Sequence, residues 1–339
     1  MKIESSVTSI SWIPSAAIAG VTRVPFEAGV THYDDPPPDR WDDLDSVLGP
    51  EGARFANDLQ AWIEVQDGRI TEYGQTGGGR VSNTLIRVAG MRVQVEAVVY
   101  PELRPEPQVG EDFVRFTQTT GGRPGMTVPR LVQSAPFVTT QGPAVWTTLA
   151  LTLYADGSTG HELIGASSFP RHWIYDADGK LAGKSALIDF KTWWRTAAVA
   201  GSPWHGQENA VLAAQAETPL ERRLSEVIMR GGGDPPRAAK VKAGTAIITE
   251  GEAADDIVLL LDGLVQVEAN GTELARLGPG SILGERASVE QGRRTATVRA
   301  VTDCRVVSYL AADLSARDLR ELATGHYREG QPRMAPQAG

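Results

Sequence analysis

The sequence carries one cysteine in 339 residues, Cys304, so no intrachain disulfide can form. Its place in the alternating run Cys304, Val306, Ser308 predicts a buried, reduced thiol. No stretch approaches the roughly 18 consecutive apolar residues that would span a bilayer as a helix. Basic residues do not predominate: 33 Lys plus Arg stand against 42 Asp plus Glu, and the net charge of −9 argues against a broad nucleic-acid footprint. A local basic pocket is compatible with that balance. Met1-Lys2-Ile3-Glu4 places an acid where a secretory signal carries positive charge, and no repeat of fixed period occurs. The expectation is a soluble cytoplasmic protein that contacts neither membrane nor DNA directly, with a homo-oligomer left open.

The length and a hydrophobic content of 41% suit two domains, each able to bury a core. In Thr218-Pro219-Leu220-Glu221, Thr can cap a helix, Pro fits its first position and Glu three residues on completes a capping box. Leu220, Leu224, Val227 and Ile228 then form one apolar stripe, which Gly231-Gly232-Gly233-Asp234-Pro235-Pro236 ends. The expected organisation is a β-rich domain at 1–216, a helical connector with a Gly/Pro linker at 217–236, a β-roll at 237–328 and a disordered tail at 329–339.

The front part reads as successive hairpins. Arg80 to Arg87 and Met91 to Tyr100 flank Ala89-Gly90, Thr147 to Tyr154 precedes Asp156-Gly157, and His172 to Tyr175 precedes Asp178-Gly179. Helical stretches are expected near Gly52 to Leu59 and Phe190 to Ala198, and Asp42-Asp43-Leu44-Asp45 as a solvated helix start. Together these predict a β-barrel or sandwich-like domain with covering helices, in a chain that is mainly β with α (α+β). In the back part glycines punctuate short strands: Ile257 to Leu261, Leu264 to Val267, Glu273 to Leu277, Thr295 to Val301 and Cys304 to Tyr309, with Asn270-Gly271 a hairpin turn. A helix capped by Ser315 follows.

The stretch from Leu283 to Val298 resembles the phosphate-binding cassette of the cyclic nucleotide-binding domain superfamily, the β-roll of catabolite activators and protein kinase A regulatory subunits. Gly284, Glu285, Ala287, Arg294, Thr295 and Ala296 fall in the family's register. Lys242-Ala243-Gly244, Glu250-Gly251-Glu252, Leu261-Asp262-Gly263 and Gly278-Pro279-Gly280 resemble its scaffold, over about Arg237 to Leu322. The resemblance implies a 3′,5′-cyclic nucleotide as ligand, cyclic AMP or cyclic GMP, and no cofactor or metal. Glycine lets backbone approach a ligand, Arg294 can fork onto the phosphate, and Glu285 can accept from the ribose 2′-hydroxyl. Arg286, Ser288 and Arg293 depart from the family pattern. Arg293 can add attraction for phosphate or pair with Glu285 or Glu290 and close the site. Thr295 occurs in members that accept cyclic GMP. A degenerate roll, in which Glu285 and Arg294 form an internal ion pair, is the alternative.

Other motifs fail on spacing. Gly179 to Ser185 is one residue short of a P-loop, His161-Glu162 lacks the second histidine of a zincin, and Gly74 to Gly79 lacks dinucleotide-site spacing. The front half offers one candidate pocket, His161, His172, Trp173 and His205 with nearby aromatics and Asp176 or Asp189, which can equally be packing. No catalytic residue is assigned. The expected function is a cyclic-nucleotide sensor whose roll controls the N-terminal domain. The alternatives are an enzyme with an N-terminal active site regulated by the roll, or an assembly protein with a degenerate roll.

Overall fold

The structure, a computed structural model, describes residues 1–18, 23–28, 33–49, 52–88, 91–125, 130–132, 138–139, 142–196, 202–205, 213–215, 217–230, 238–253, 256–289 and 292–329. The chain divides into two compact units, Met1–Val211 and Leu212–Gly339.

The first unit opens with β1 (Lys2–Trp12), the short helices α1 (Val24–Glu27) and α2 (Leu44–Val47), and the long hairpin β2 (Phe55–Gln66) and β3 (Arg69–Val81). There follow β4 (Thr84–Val88), β5 (Met91–Val95), β6 (Val98–Val99), β7 (Gln108–Val109), β8 (Phe113–Arg123), β9 (Arg130–Leu131) and β10 (Val138–Thr139). It ends with β11 (Val145–Tyr154), β12 (Thr159–Ala166), β13 (Arg171–Tyr175), β14 (Leu181–Ser185) and α3 (Phe190–Arg195).

Antiparallel pairing runs β14-β13-β1-β2-β3 in one sheet and β12-β11-β8-β6 in another, with β7 also on β8. Their inner faces share one core: Ile3, Val7, Leu59, Ile63 and Ile174 from the first sheet meet Phe116, Leu149, Leu151, Leu153 and Leu163 from the second. Among the described residues no ladder joins these two sheets. The expected barrel is therefore not closed, and the sandwich-like alternative describes the packing. Helix α3 covers one end, where Trp193 and Phe190 cluster with Ile18, Phe55, Val145 and Phe169.

The expected helix at 52–59 is wrong. That segment enters β2, where Leu59, Ala61, Ile63 and Val65 alternate inward and Asp67-Gly68 turns the hairpin with positive φ at both residues. Alanine, leucine and glutamine favour a helix locally, but burial against a second sheet decides. The strand expected at 80–87 is broken at Ser82-Asn83 between β3 and β4.

The second unit begins with β15 (Ala213–Gln215) and α4 (Pro219–Arg230), then β16 (Ala239–Val241), β17 (Ala246–Ile248), β18 (Asp256–Asp262), β19 (Val265–Ala269) and β20 (Thr272–Leu277). β21 (Ile282–Leu283), α5 (Glu285–Val289), β22 (Thr297–Ala300), β23 (Cys304–Leu310) and α6 (Ala316–Glu329) complete it. One set of strands runs β17-β22-β19-β20-β15 and the other β16-β23-β18-β21. Strand β18 serves two cores by its pleat: Val258 and Leu260 face Val265, Val298 and Val306 inside the roll, while Ile257 and Leu259 face Leu224 and Ile228 of α4 and Leu319 and Leu322 of α6.

Helix α4 thus packs on the roll. The Gly231 to Pro236 stretch and the tail from 330 lie outside the described residues. The capping box is formed: Glu221 N donates to Thr218 Oγ1 (3.2 Å), and Thr218 N donates to Glu221 Oε2 (2.8 Å). Thr218→Ala is expected to lower the stability of this unit by about 1 kcal/mol, read from chemical unfolding.

Candidate functional site

Strand β21 delivers the chain to Gly284, whose φ of +85° is open to glycine and costly to other residues. A Cβ at Gly284 would collide with the Arg294 guanidinium, so the glycine is required by this neighbour as well as by its own backbone. Helix α5 starts at Glu285, which is 4% exposed, and Ala287 is 1% exposed beneath it. The loop after α5 closes where Gly292 N donates to Ala287 O (2.9 Å). Its return strand is zipped to the 250–253 turn by Gly251 N to Arg294 O and Arg294 N to Glu252 O, each 2.8 Å.

Arg294 is 6% exposed. Its Nη1 donates to the carbonyls of Asp256 (2.9 Å) and Gly284 (3.1 Å), and its Nη2 donates to Asp256 Oδ1 (2.5 Å). Asp256 takes both atoms of one guanidinium edge through its own carbonyl and carboxylate. The Nε–Nη2 edge is the second fork that such a planar group offers to a phosphate. The internal ion pair of Arg294 is therefore with Asp256, not with Glu285. Sequence reasoning missed Asp256, because its contact depends on the fold bringing the start of β18 against a loop 38 residues later.

The remaining expected residues flank this centre. Arg286 lies on α5 and is half-buried, as are Thr295 and Ala296. Arg293 is exposed and donates from Nη1 to Gly251 O (2.8 Å), which commits it to the turn.

A family model for the cyclic nucleotide-binding domain matches residues 238–317. Residues 238–317 are a cyclic nucleotide-binding domain. The domain is similar to a segment of the cGMP-dependent protein kinase egl-4 of Caenorhabditis briggsae, 36% identical over 64 residues, 19% of this chain and 8% of the kinase. It is also similar to the Pycsar effector protein BcPycTIR of Burkholderia cepacia, 33% identical over 103 residues, 27% of this chain and 32% of that protein. Among solved structures it is similar to the Thermus thermophilus catabolite activator protein, at 25% identity and a TM-score of 0.26, covering 33% of this chain and 56% of that one. The chain spans less than a third of either curated relative.

The front-half candidates do not converge. His161 is exposed on β12, in the second sheet, while His172 is buried on β13, in the first. Trp173 follows His172 on β13 and packs edge-on against Trp12. The His205 side chain lies outside the described residues. The ring of His172 meets Ser11 Oγ at Nδ1 (2.7 Å) and Ser167 O at Nε2 (2.8 Å), and burial holds its pKa down to about 4. Its neighbours here are a hydroxyl and a carbonyl, as in a packed core histidine. Asp189 caps α3, accepting from Thr192 N (2.8 Å), and Asp176 accepts from Asp178 N and Lys180 N in the β13–β14 turn. No group of residues able to hold a metal occurs among the described residues.

Proposed function

We propose that this chain is a cyclic-nucleotide-regulated protein in which the domain at 238–317 binds a 3′,5′-cyclic nucleotide, cyclic AMP or cyclic GMP, and thereby controls the β-rich first unit. The observation that carries the reading is the buried Arg294 guanidinium, oriented by Asp256 and Gly284 beside the left-handed glycine that opens α5. A charge fixed in this way pays little ordering cost on meeting a phosphate. Glu285, at the first turn of α5, supplies the acceptor for a ribose hydroxyl. The name of the cGMP-dependent kinase fits the same ligand class.

The partners of His172 give an N-terminal catalytic site no support, since neither ring nitrogen faces a carboxylate. Calorimetric titration of the whole chain with each nucleotide tests the proposal. The expected result is saturable heat with at least one of them. No heat with either would leave a folded roll without a ligand and favour the assembly role.

A further inference from the structure

Glu221 does more than cap its helix. Its carboxylate is buried, 3% exposed, and is shared between two segments of the chain. Oε2 accepts from the Thr218 backbone N–H (2.8 Å) and hydroxyl (3.1 Å), while Oε1 accepts from the backbone N–H of Ile282 (3.2 Å). Ile282 begins β21, two residues ahead of Gly284, whose carbonyl takes Arg294 Nη1. The turn that leads into β21 is also packed by an acid, because a Cβ at Gly280, where φ is +100°, would collide with the Glu217 carboxylate. The start of α4 is therefore fastened to the two-residue strand that places Gly284, and Ile282 is fully buried, which leaves that strand little freedom to shift.

We propose that Glu221 is a positioning residue for the nucleotide site, coupling the N-terminus of α4 to Gly284 and Arg294 through the Ile282 amide. The inference rests on the proposed function and adds to it the residue by which site and helix sense one another. A carboxylate is needed because two backbone N–H groups approach its two oxygens. An amide in its place has one acceptor, so one of the two segments is released. Coupling of this kind is reciprocal, so a nucleotide that tightens the Gly284 segment must also tighten the cap.

The test combines calorimetry with residue-resolved amide exchange on the full chain, using cyclic AMP and cyclic GMP as probes. In the wild type, saturating nucleotide is expected to slow exchange at Ile282 and at Thr218 together, by about tenfold. Glu221→Gln is expected to weaken nucleotide binding about tenfold and to abolish the joint protection. Thr218→Ala removes only the hydroxyl and keeps the bonds of the Glu221 carboxylate to the backbone N–H groups of Thr218 and Ile282, so it is expected to lose stability with a change in Kd well below that of Glu221→Gln; that contrast separates positioning from mere capping. Unaltered Kd and joint protection in Glu221→Gln overturn the proposal. So does a wild type that binds nucleotide while Ile282 and Thr218 exchange as before, a result that stands even where the variant fails to fold. A wild type that binds neither nucleotide overturns the proposed function, and this inference with it.

Discussion

Arg294→Ala is expected to abolish most of the stabilisation that a cyclic nucleotide confers. A charge-assisted hydrogen bond contributes about 1.5–3 kcal/mol, and the Nε–Nη2 edge offers two to one phosphate, so the affinity should fall at least about a hundredfold. At a nucleotide concentration a hundred times the wild-type Kd, binding stabilises the wild type by about 2.7 kcal/mol. The same concentration would stabilise the variant by about 0.4 kcal/mol. The substitution also leaves the Asp256 carboxylate and the Gly284 carbonyl without their donor, so the unliganded variant should itself unfold more readily. The ligand-induced shift in the unfolding midpoint, rather than the midpoint, is the quantity to compare. Arg294→Lys retains the charge without the fork, and an intermediate shift is expected. A variant whose shift equals that of the wild type would remove Arg294 from the site.

Much of the second unit could be read from the chain because its signals are local. Thr218 and Glu221 mark the start of α4 by themselves, Asn270-Gly271 adopts the positive φ values that a tight hairpin demands, and Gly284 and Arg294 sit at a fixed spacing. What escaped was contact across the fold. Asp256 and Ile282 gain their roles from partners 38 and 61 residues away, and nothing in their own neighbourhoods marks them. The first unit shows the limit more sharply. Strand β1 pairs with β2 about its whole length, yet Lys2 to Trp12 mixes serines among its apolar residues and carries no clean alternation.

Ser9 is explained by a polar layer between the sheets. Ser9 Oγ meets Thr147 Oγ1 (2.7 Å), and Asn57 Nδ2 reaches the Gln118 and Thr147 carbonyls (3.3 and 3.1 Å). A buried hydroxyl or amide is tolerable only when such partners exist, and these lie 61 to 138 residues apart in the chain.

His172 belongs to the same buried face, and it gives the first unit a sharp dependence on pH. Burial lowers its pKa to about 4 from an ordinary 6.5, against the opposing effect of the Ser167 carbonyl. The unfolded chain therefore binds a proton near pH 6.5 that the folded chain refuses until about pH 4. The stability His172 contributes is complete above pH 6.5 and is lost as the pH falls through that window, by about 3 kcal/mol in all. Asp34 works in the other direction: burial raises its pKa to about 6 in spite of Arg54, so the folded state takes up that proton first. The wild-type profile alone mixes the two, and His172→Gln separates them. The stability of the wild type minus that of His172→Gln is expected to fall by about 2–3 kcal/mol between pH 7 and pH 4.5. All eight tryptophans, from Trp12 to Trp204, lie in the first unit, so urea unfolding followed by tryptophan fluorescence reports this unit without interference from the roll. A difference that stays constant with pH would mean that the imidazole is as easily charged in the fold as in water. Its contacts with Ser11 and the Ser167 carbonyl would then not be those of a neutral ring donating from Nε2 and accepting at Nδ1.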